Sequence, residues 1–321
     1  MLTPDRSVVH MNAVTVFAPA STGNIGPGFD VLGMALEGMG DTVTARRIPS
    51  GIIFDAITGD GGTLPKEAKN NTAGIAAQAV LEAMGGSGGV ALTLHKGVPG
   101  TGLGSSAASA VAAAWAVNLL LGEPLTKTDT ASLAAAAEAQ VSGGFFIDNI
   151  GPSMMGGITW NNPQTREIVP LGTLDSAVVV VAVPDFPLLT RESRRVLPTT
   201  VPMAGFISNM AHAAIMAWAV ARQDVPRFGR AIHDVIVEPV RAPFIPGFTD
   251  VKHAACNAGA YGCSISGAGA SVFAVTDEID QGHKIGAAMQ AAFSAAGVTA
   301  QIRVTRIDPL GARIVPTPAS I

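Results

Sequence analysis

The stretch with the clearest chemical potential is residues 99–121, PGTGLGSSAASAVAAAWAVNLLL. Gly100, Gly102 and Gly104 alternate through a short loop that runs into Ser105, Ser106 and an alanine-rich segment. Upstream, GVALTLHKG alternates apolar and polar residues as a half-buried strand does. The order strand, glycine loop, helix suits anion binding. Glycines let the backbone turn through positive φ and approach a ligand. A helix start presents unpaired N–H groups and the positive end of its dipole. The pattern predicts a phosphate cradle, with Ser105 or Ser106 as N-cap and Gly122 with Pro124 as the stop. The plainer alternative is a glycine turn capping a buried helix. A Walker A loop is ruled out, because Ser105 follows Gly104 where that motif needs lysine. A dinucleotide fingerprint is the runner-up: Gly102, Gly104 and Ala107 fit G-x-G-x-x-A, but Glu123, at nearly the required spacing, lies in a turn before another helix.

Other polar groups are set between apolar segments. In APASTGNIGPGFD, residues 18–30, a Gly/Pro-rich loop longer than a hairpin needs presents Asn24 and Asp30; the alternative is a turn whose Asn and Asp bond their own backbone. Asn71 or Thr72 is placed to cap the helix TAGIAAQAVLEAM. Glu138 is the only acid in the body of an alanine-rich helix that Thr128 or Asp129 caps. Such a carboxylate is either solvated or bound to a cation. Asp148 and Asn149 form a polar cluster read as a loop before the strand GGITW. Residues 190–198, TRESRRVLP, carry Arg191, Arg194 and Arg195, either a fork for a carboxylate or phosphate or a solvated face. Arg241 sits among apolar residues in a Pro-rich connection, which suits burial against an anion. Residues 266–271, SGAGAS, make a second glycine loop running into a strand.

The elements that must position these groups follow from pattern. Strands are expected over 12–18, 41–47, 177–183 and near 298–307, the third apolar throughout and therefore central. Helices are expected over 107–121, 203–221 and 280–295, the first two as core. At 321 residues the chain suits two domains, split within the polar passage 160–175 into 1–165 and 166–321. A net charge of −4 without a basic block, and 5% aromatics, argue against a nucleic-acid partner. Ala107–Leu121 is interrupted by Ser109 and Asn118 and is too short to span a bilayer, so no membrane association is expected. Cys256 and Cys263 fit no zinc or redox spacing and read as small buried hydrophobes in a reducing, cytoplasmic protein. The N-terminal residues show no secretory pattern, and Met11 offers an alternative start.

Three motifs in order, NIGPGFD, PGTGLGSSAA and SGAGAS, resemble the signature motifs of the GHMP kinases, and the similarity is strongest to the homoserine kinase group. It covers residues 14–304. APASTGNIGPGFD resembles the group's opening motif. Glu138 and Asn149 have its Glu-to-Asn spacing; TRESRRVLP places Arg194 on its arginine; EPVR and IPGF match near Arg241. Phe146 stands where the group has the histidine of H-x-D-N, Ser193 replaces an alanine, Ala270 replaces a proline, and the central loop is slightly shorter.

The resemblance implies an α+β fold of two domains, an N-terminal ATP-binding half and a ferredoxin-like C-terminal half, with the site between them. It implies ATP and Mg²⁺, L-homoserine as substrate, and a homodimer. The backbone of Pro99, Gly100, Thr101, Gly102, Leu103, Gly104, Ser105, Ser106, Ala107, Ala108 and Ser109 would wrap the ATP phosphates, with Gly267 and Gly269 at the phosphate end and Asn71 near the adenine. Ser106 and Glu138 would bind Mg²⁺. Asp30 would hold the substrate ammonium, and Thr190, Arg194 and Arg241 would bind its carboxylate end. Asn24 and Asn149 would orient the attacking hydroxyl. These roles agree with the residues: a zwitterion needs one carboxylate and separate arginines. Phosphoryl transfer needs positioning and charge neutralisation more than covalent chemistry. An amide cannot accept the hydroxyl proton, so it would pass late to a phosphate oxygen, with Asp148 as the fallback base.

Overall fold

The structure, a computed structural model, describes residues 12–317 apart from 143, 145, 187 and 189. Apolar alternation from Val14 onward produces strand β1 (Ala13–Gly23), which pairs antiparallel with the long β2 (Leu32–Ile48). Then come β3 (Gly51–Thr58), helix α1 (Thr72–Ala83) and β4 (Gly89–His95); β3 runs parallel to β4, and β4 antiparallel to β2. Helices α2 (Ser105–Leu120), α3 (Lys127–Ser142) and α4 (Ile147–Met155) precede β5 (Ile158–Asn162) and β6 (Glu167–Gly172), which extend the same sheet from β2. The rest of the chain supplies β7 (Val178–Pro184), α5 (Thr190–Arg195), α6 (Met203–Ala221), α7 (Val225–Arg230), α8 (Glu238–Arg241), α9 (Phe248–Asn257), β8 (Gly262–Ile265), β9 (Val272–Thr276), α10 (Ile279–Ala295), β10 (Ala300–Arg306) and β11 (Arg313–Ile314). β11 returns to pair with β1.

The second sheet has the order β10-β7-β9-β8, all antiparallel, the split β-α-β-β-α-β arrangement of a ferredoxin-like fold. β7 is central and fully buried because both its faces are covered. Val180 and Ala182 pack with Phe248, Val251, Met289 and Phe293 from α9 and α10. Val179 and Val181 belong to a core with Phe228, Met34, Leu36 and Leu103, which joins the two sheets. The fold is therefore α+β in two halves, as expected.

Helix α2 is the axis of the first half. Every residue from Ala107 to Leu120 is buried, among α1, α3, α4 and the first sheet. Its small alanines give high helix propensity and let neighbours approach closely. The cap is a correction: Gly104, at φ 64°, occupies the N-cap, and neither Ser105 nor Ser106 caps with its side chain. Asn71 does cap α1, accepting from the Ala73 amide at 3.0 Å. At α3 the Asp129 amide donates to Thr126 Oγ1 at 3.1 Å, so the capping hydroxyl belongs to Thr126 and not to Thr128.

Other expectations are also corrected. The dinucleotide reading needs a parallel doubly wound sheet, whereas β4 is antiparallel to β2 and α2 leads into α3 instead of a strand. Asp148 and Asn149 lie on α4, a helix that continues through Pro152, and not on a loop. Helix α6 is not core: Asn209, Met216, Ala219 and Val220 are its buried residues, while Met203, Phe206, Ile207, Met210 and Trp218 are exposed. It is long and apolar enough, at mean hydropathy 1.3, to pass a length-and-composition test for a membrane span. Of the cysteines, Cys263 is buried as expected but Cys256 is exposed. Met11 lies outside the described residues.

Candidate active site

The early polar loop, both glycine loops, α4 and α5 converge on one cleft of about 350 Å³. One end is built from backbone. Gly100, Thr101, Gly102, Gly104, Ser105, Ser106 and Ala107 border it, so the start of α2 faces the cleft with its unpaired amides. Gly102, at φ 82°, packs so tightly on the second glycine loop that a Cβ there would lie 2.5 Å from the Ser266 carbonyl oxygen. A Cβ on Gly104 would lie 2.2 Å from Ser21 Oγ. Hydroxyls fasten the loops together. Ser266 Oγ donates to the Gly102 carbonyl at 2.7 Å and Ser271 Oγ to that of Thr101 at 2.6 Å; the Ala270 amide donates to Thr101 Oγ1 at 3.1 Å.

Beneath this loop lies a buried charge pair. Lys96 Nζ donates to Asp41 Oδ2, to the Ser105 carbonyl at 2.9 Å and to Ser109 Oγ at 2.7 Å. Asp41 Oδ1 accepts from the Gly97 and Val98 amides at 3.0 and 3.3 Å. One carboxylate thus fixes both the approach to the glycine loop and the helix that leaves it.

The other end is built from side chains. Asp30 accepts two bonds from Arg194, from Nη1 at 3.1 Å and Nη2 at 2.5 Å. Arg241 is 3% exposed and donates from Nε to the Ser193 carbonyl at 3.2 Å and from Nη1 to the Gly267 carbonyl at 2.9 Å. Burial, then the charge of Arg194, lowers its pKa to about 10. Asn24 is a tie: its Nδ2 donates to the Gly267 carbonyl at 2.8 Å, and its Oδ1 accepts from the Asp30 amide at 3.0 Å. Asn149 Oδ1 accepts from Ser21 Oγ at 3.1 Å. Asp148, beside it, lines the cleft and accepts from the Asn24 amide at 3.1 Å. Burial, followed by the charge of Asp30, raises the Asp148 pKa to about 7.

Among the predicted residues, Asn24, Asp30, Glu138, Asn149, Arg194, Arg241 and Gly267 border this cleft with Ser106. Glu138 is 6% exposed, which excludes a solvated face. Leu103, Ala108 and Ser109 are buried behind the loop and do not border the cleft; Pro99 precedes it, and Gly269 backs Gly102. Asn71 is buried as the cap of α1 and does not border the cleft; a separate cavity of about 480 Å³ is bordered by Glu67, Lys69, Gln78 and Gln140. Thr190 opens α5, but its side chain lies outside what is described.

The sequence also matches two family models, "GHMP kinases N terminal domain" over residues 71–157 and "GHMP kinases C terminal" over residues 216–295. It is 44% identical over 315 residues to a homoserine kinase of Arabidopsis thaliana, covering 94% of this chain and 85% of that one. The chain belongs to the GHMP kinases, in the homoserine kinase family. A homoserine kinase from Chloroherpeton thalassium is 38% identical over 296 residues, 88% of this chain and 93% of its own. The crystal structure of homoserine kinase from Cytophaga hutchinsonii superposes with a TM-score of 0.90 at 34% identity, over 98% of this chain and all of that one. L. major mevalonate kinase shares the fold, with a TM-score of 0.69 at 17% identity over 91% and 95% of the two chains.

What sequence reasoning missed in this GHMP kinase is the scaffolding of the site. Asp41, Lys96, Ser21, Ser266 and Ser271 hold the loops, a task that no local pattern announces. An isolated Asp or Ser in a strand carries no local signal of this. Lys96, directly after a strand and three residues before the glycine loop, was the one available pointer.

Proposed function

We propose that this protein phosphorylates the side-chain hydroxyl of L-homoserine from ATP, giving O-phospho-L-homoserine for threonine biosynthesis. The observation that carries the reading is the pairing of Asp30 with Arg194 in the cleft that the glycine loops close. One anionic and one cationic group at that spacing can be exchanged for the ammonium and carboxylate of an α-amino acid. The start of α2 and the backbone of residues 99–109 would receive the ATP phosphates. Asn71, at the cap of α1, would lie near the adenine. Asp30 would take the ammonium; Arg194 and Arg241, with Thr190, would take the carboxylate; Asn149, oriented by Ser21 and tied to the loop that Asn24 braces, would align the hydroxyl. Its proton would pass late to a phosphate oxygen. A second route favours Asp148 as base, because its pKa of about 7 suits proton acceptance near neutrality.

Ser106 and Glu138 fit a magnesium ion. Both border the cleft with hard oxygen donors, and Ser106 Oγ donates to Thr72 Oγ1 at 3.1 Å, adding a third oxygen nearby. Among the described residues no group of three or more His, Cys, Asp or Glu side chains gathers as a metal cage. That suits an ion held by a carboxylate, a hydroxyl and substrate phosphates. When bound, it would neutralise charge on the phosphates.

We assign ATP binding to residues 1–165 and the remaining half to 166–321, with β6 and β11 hydrogen-bonded into the first sheet. We also place the protein in the cytoplasm as a homodimer, free of nucleic acid and membrane. The decisive assay is ADP release from ATP–Mg²⁺ with L-homoserine, mevalonate, galactose and L-serine side by side. Turnover restricted to homoserine is expected. Turnover with another alcohol alone would discard the zwitterion clamp and keep the kinase chemistry.

A further inference from the structure

Phe146 makes a defined contact in the cleft. It is 7% exposed, and the Arg194 guanidinium lies over its ring, 4.1 Å from the centroid. The Phe29 ring lies 5.3 Å from the same guanidinium and 5.2 Å from that of Arg241. Two arginines that repel one another thus share an aromatic neighbour. A ring quadrupole attracts a cation whatever hydrogen bonds that cation makes at its edges. An arginine held this way can change acceptors without leaving its place.

Arg194 has a reason to change acceptors. Its two Nη groups bond Asp30, the group matched to the substrate ammonium, while its own match is the carboxylate. Its Nε is buried and makes no hydrogen bond. A carboxylate arriving at Arg194 brings acceptors for this donor set, and the ammonium on the same ligand takes over Asp30. A ligand with only one of the two charges would leave Asp30 or Arg194 without a partner, at a cost that discriminates against it.

We propose that Phe146, with Phe29, is a positioning and specificity residue that holds the Arg194 guanidinium in place while its hydrogen bonds pass from Asp30 to the carboxylate of an α-amino acid substrate. This rests on the homoserine reading given above.

The test is steady-state kinetics of the full-length enzyme for homoserine and ATP in wild type, F146L and F146Y, with thermal melts to verify folding. F146L removes the ring and keeps an apolar side chain. It should raise the homoserine KM about 5- to 30-fold, the equivalent of about 1–2 kcal/mol of cation–π attraction. The ATP KM and kcat should stay within about twofold. F146Y keeps the ring and should stay within about threefold of wild type in homoserine KM. If F146L does not fold, F29L should shift homoserine KM in the same direction. An unchanged homoserine KM in F146L would overturn the proposal. So would equal losses in F146L and F146Y, or a parallel rise in ATP KM, since each describes plain packing. Wild-type enzyme inactive on homoserine would overturn the functional reading and this inference together; normal wild-type turnover with an indifferent F146L would sink this inference alone.

Discussion

The glycine-loop end of the cleft is backbone held by backbone and hydroxyl groups, whereas the Asp30–Arg194 end is side chain held by side chain. At the first, the Ser266 hydroxyl bonds the Gly102 carbonyl with no room for a Cβ on Gly102, and the Asp41–Lys96 pair grips both limbs of the loop from below. At the second, Asp30, Arg194 and Arg241 meet from segments far apart in sequence, and the Phe29 ring is shared by both guanidinium groups. A rigid backbone surface suits a ligand that every kinase of this fold shares. Exchangeable ion pairs suit the part of the site that must tell one alcohol from another. Damage at the first end should therefore abolish transfer to any acceptor, while damage at the second should change how well one acceptor is held.

The strongest test of that division is Gly102→Val. A Cβ at φ 82° and 2.5 Å from the Ser266 oxygen forces the two loops apart. Phosphoryl transfer should fall by about 10³-fold or more, the scale of lost preorganised donors, with ATP binding by calorimetry lost in step. Retained ATP affinity would place the phosphates elsewhere. Next in size, Arg194→Ala should raise the homoserine KM by about 10²-fold, as expected when one member of a half-buried, hydrogen-bonded charge pair is removed, and leave ATP KM unchanged. Unchanged homoserine kinetics would erase the contrast between the ends.

The smallest effect concerns Asp148, which borders both ends. Its folded pKa, about 7, lies above the ordinary carboxyl value of 3.8. The folded state thus binds this proton more tightly than the unfolded chain does. The associated stability is fully present below pH 3.8 and is lost as pH rises through 7. Asp148→Asn should remove this slope, so between pH 5.5 and 8.5 the variant gains about 2 kcal/mol of unfolding free energy on wild type, read by denaturant titration at the two pH values. If Asp148 only shapes the site, kcat should fall less than about tenfold; a loss beyond about 100-fold would make it the general base.

Legibility in the sequence followed the same contrast. Strand, glycine loop and helix are local patterns, so the glycine-loop end, the central β7 and α10 could be placed from spacing alone. Asp30, Arg194 and Arg241 could be matched to a family motif, but nothing local says that Arg194 bonds Asp30, a pair separated by 164 positions. Alanine-rich α2 and methionine-rich α6 read alike, yet one is wholly enclosed and the other is largely exposed; apolar composition does not say what covers a helix. α4 was hidden by Gly151 and Pro152, because breakers in a helix that tertiary packing supports are tolerated.

The strand that completes one edge of the first sheet has a bearing on how the protein is made. Thr15 and Thr317 are 302 positions apart, yet their hydroxyls are 2.8 Å apart, beside the β1–β11 pairing. While the ribosome is still producing the second half, β1 has no neighbour on that side and presents open amides and carbonyls to the cell. Newly made chain is thus exposed to sheet-to-sheet association until its final strand arrives. A variant lacking the β11 segment should show that exposure as aggregation during synthesis, with every residue that lines the cleft retained.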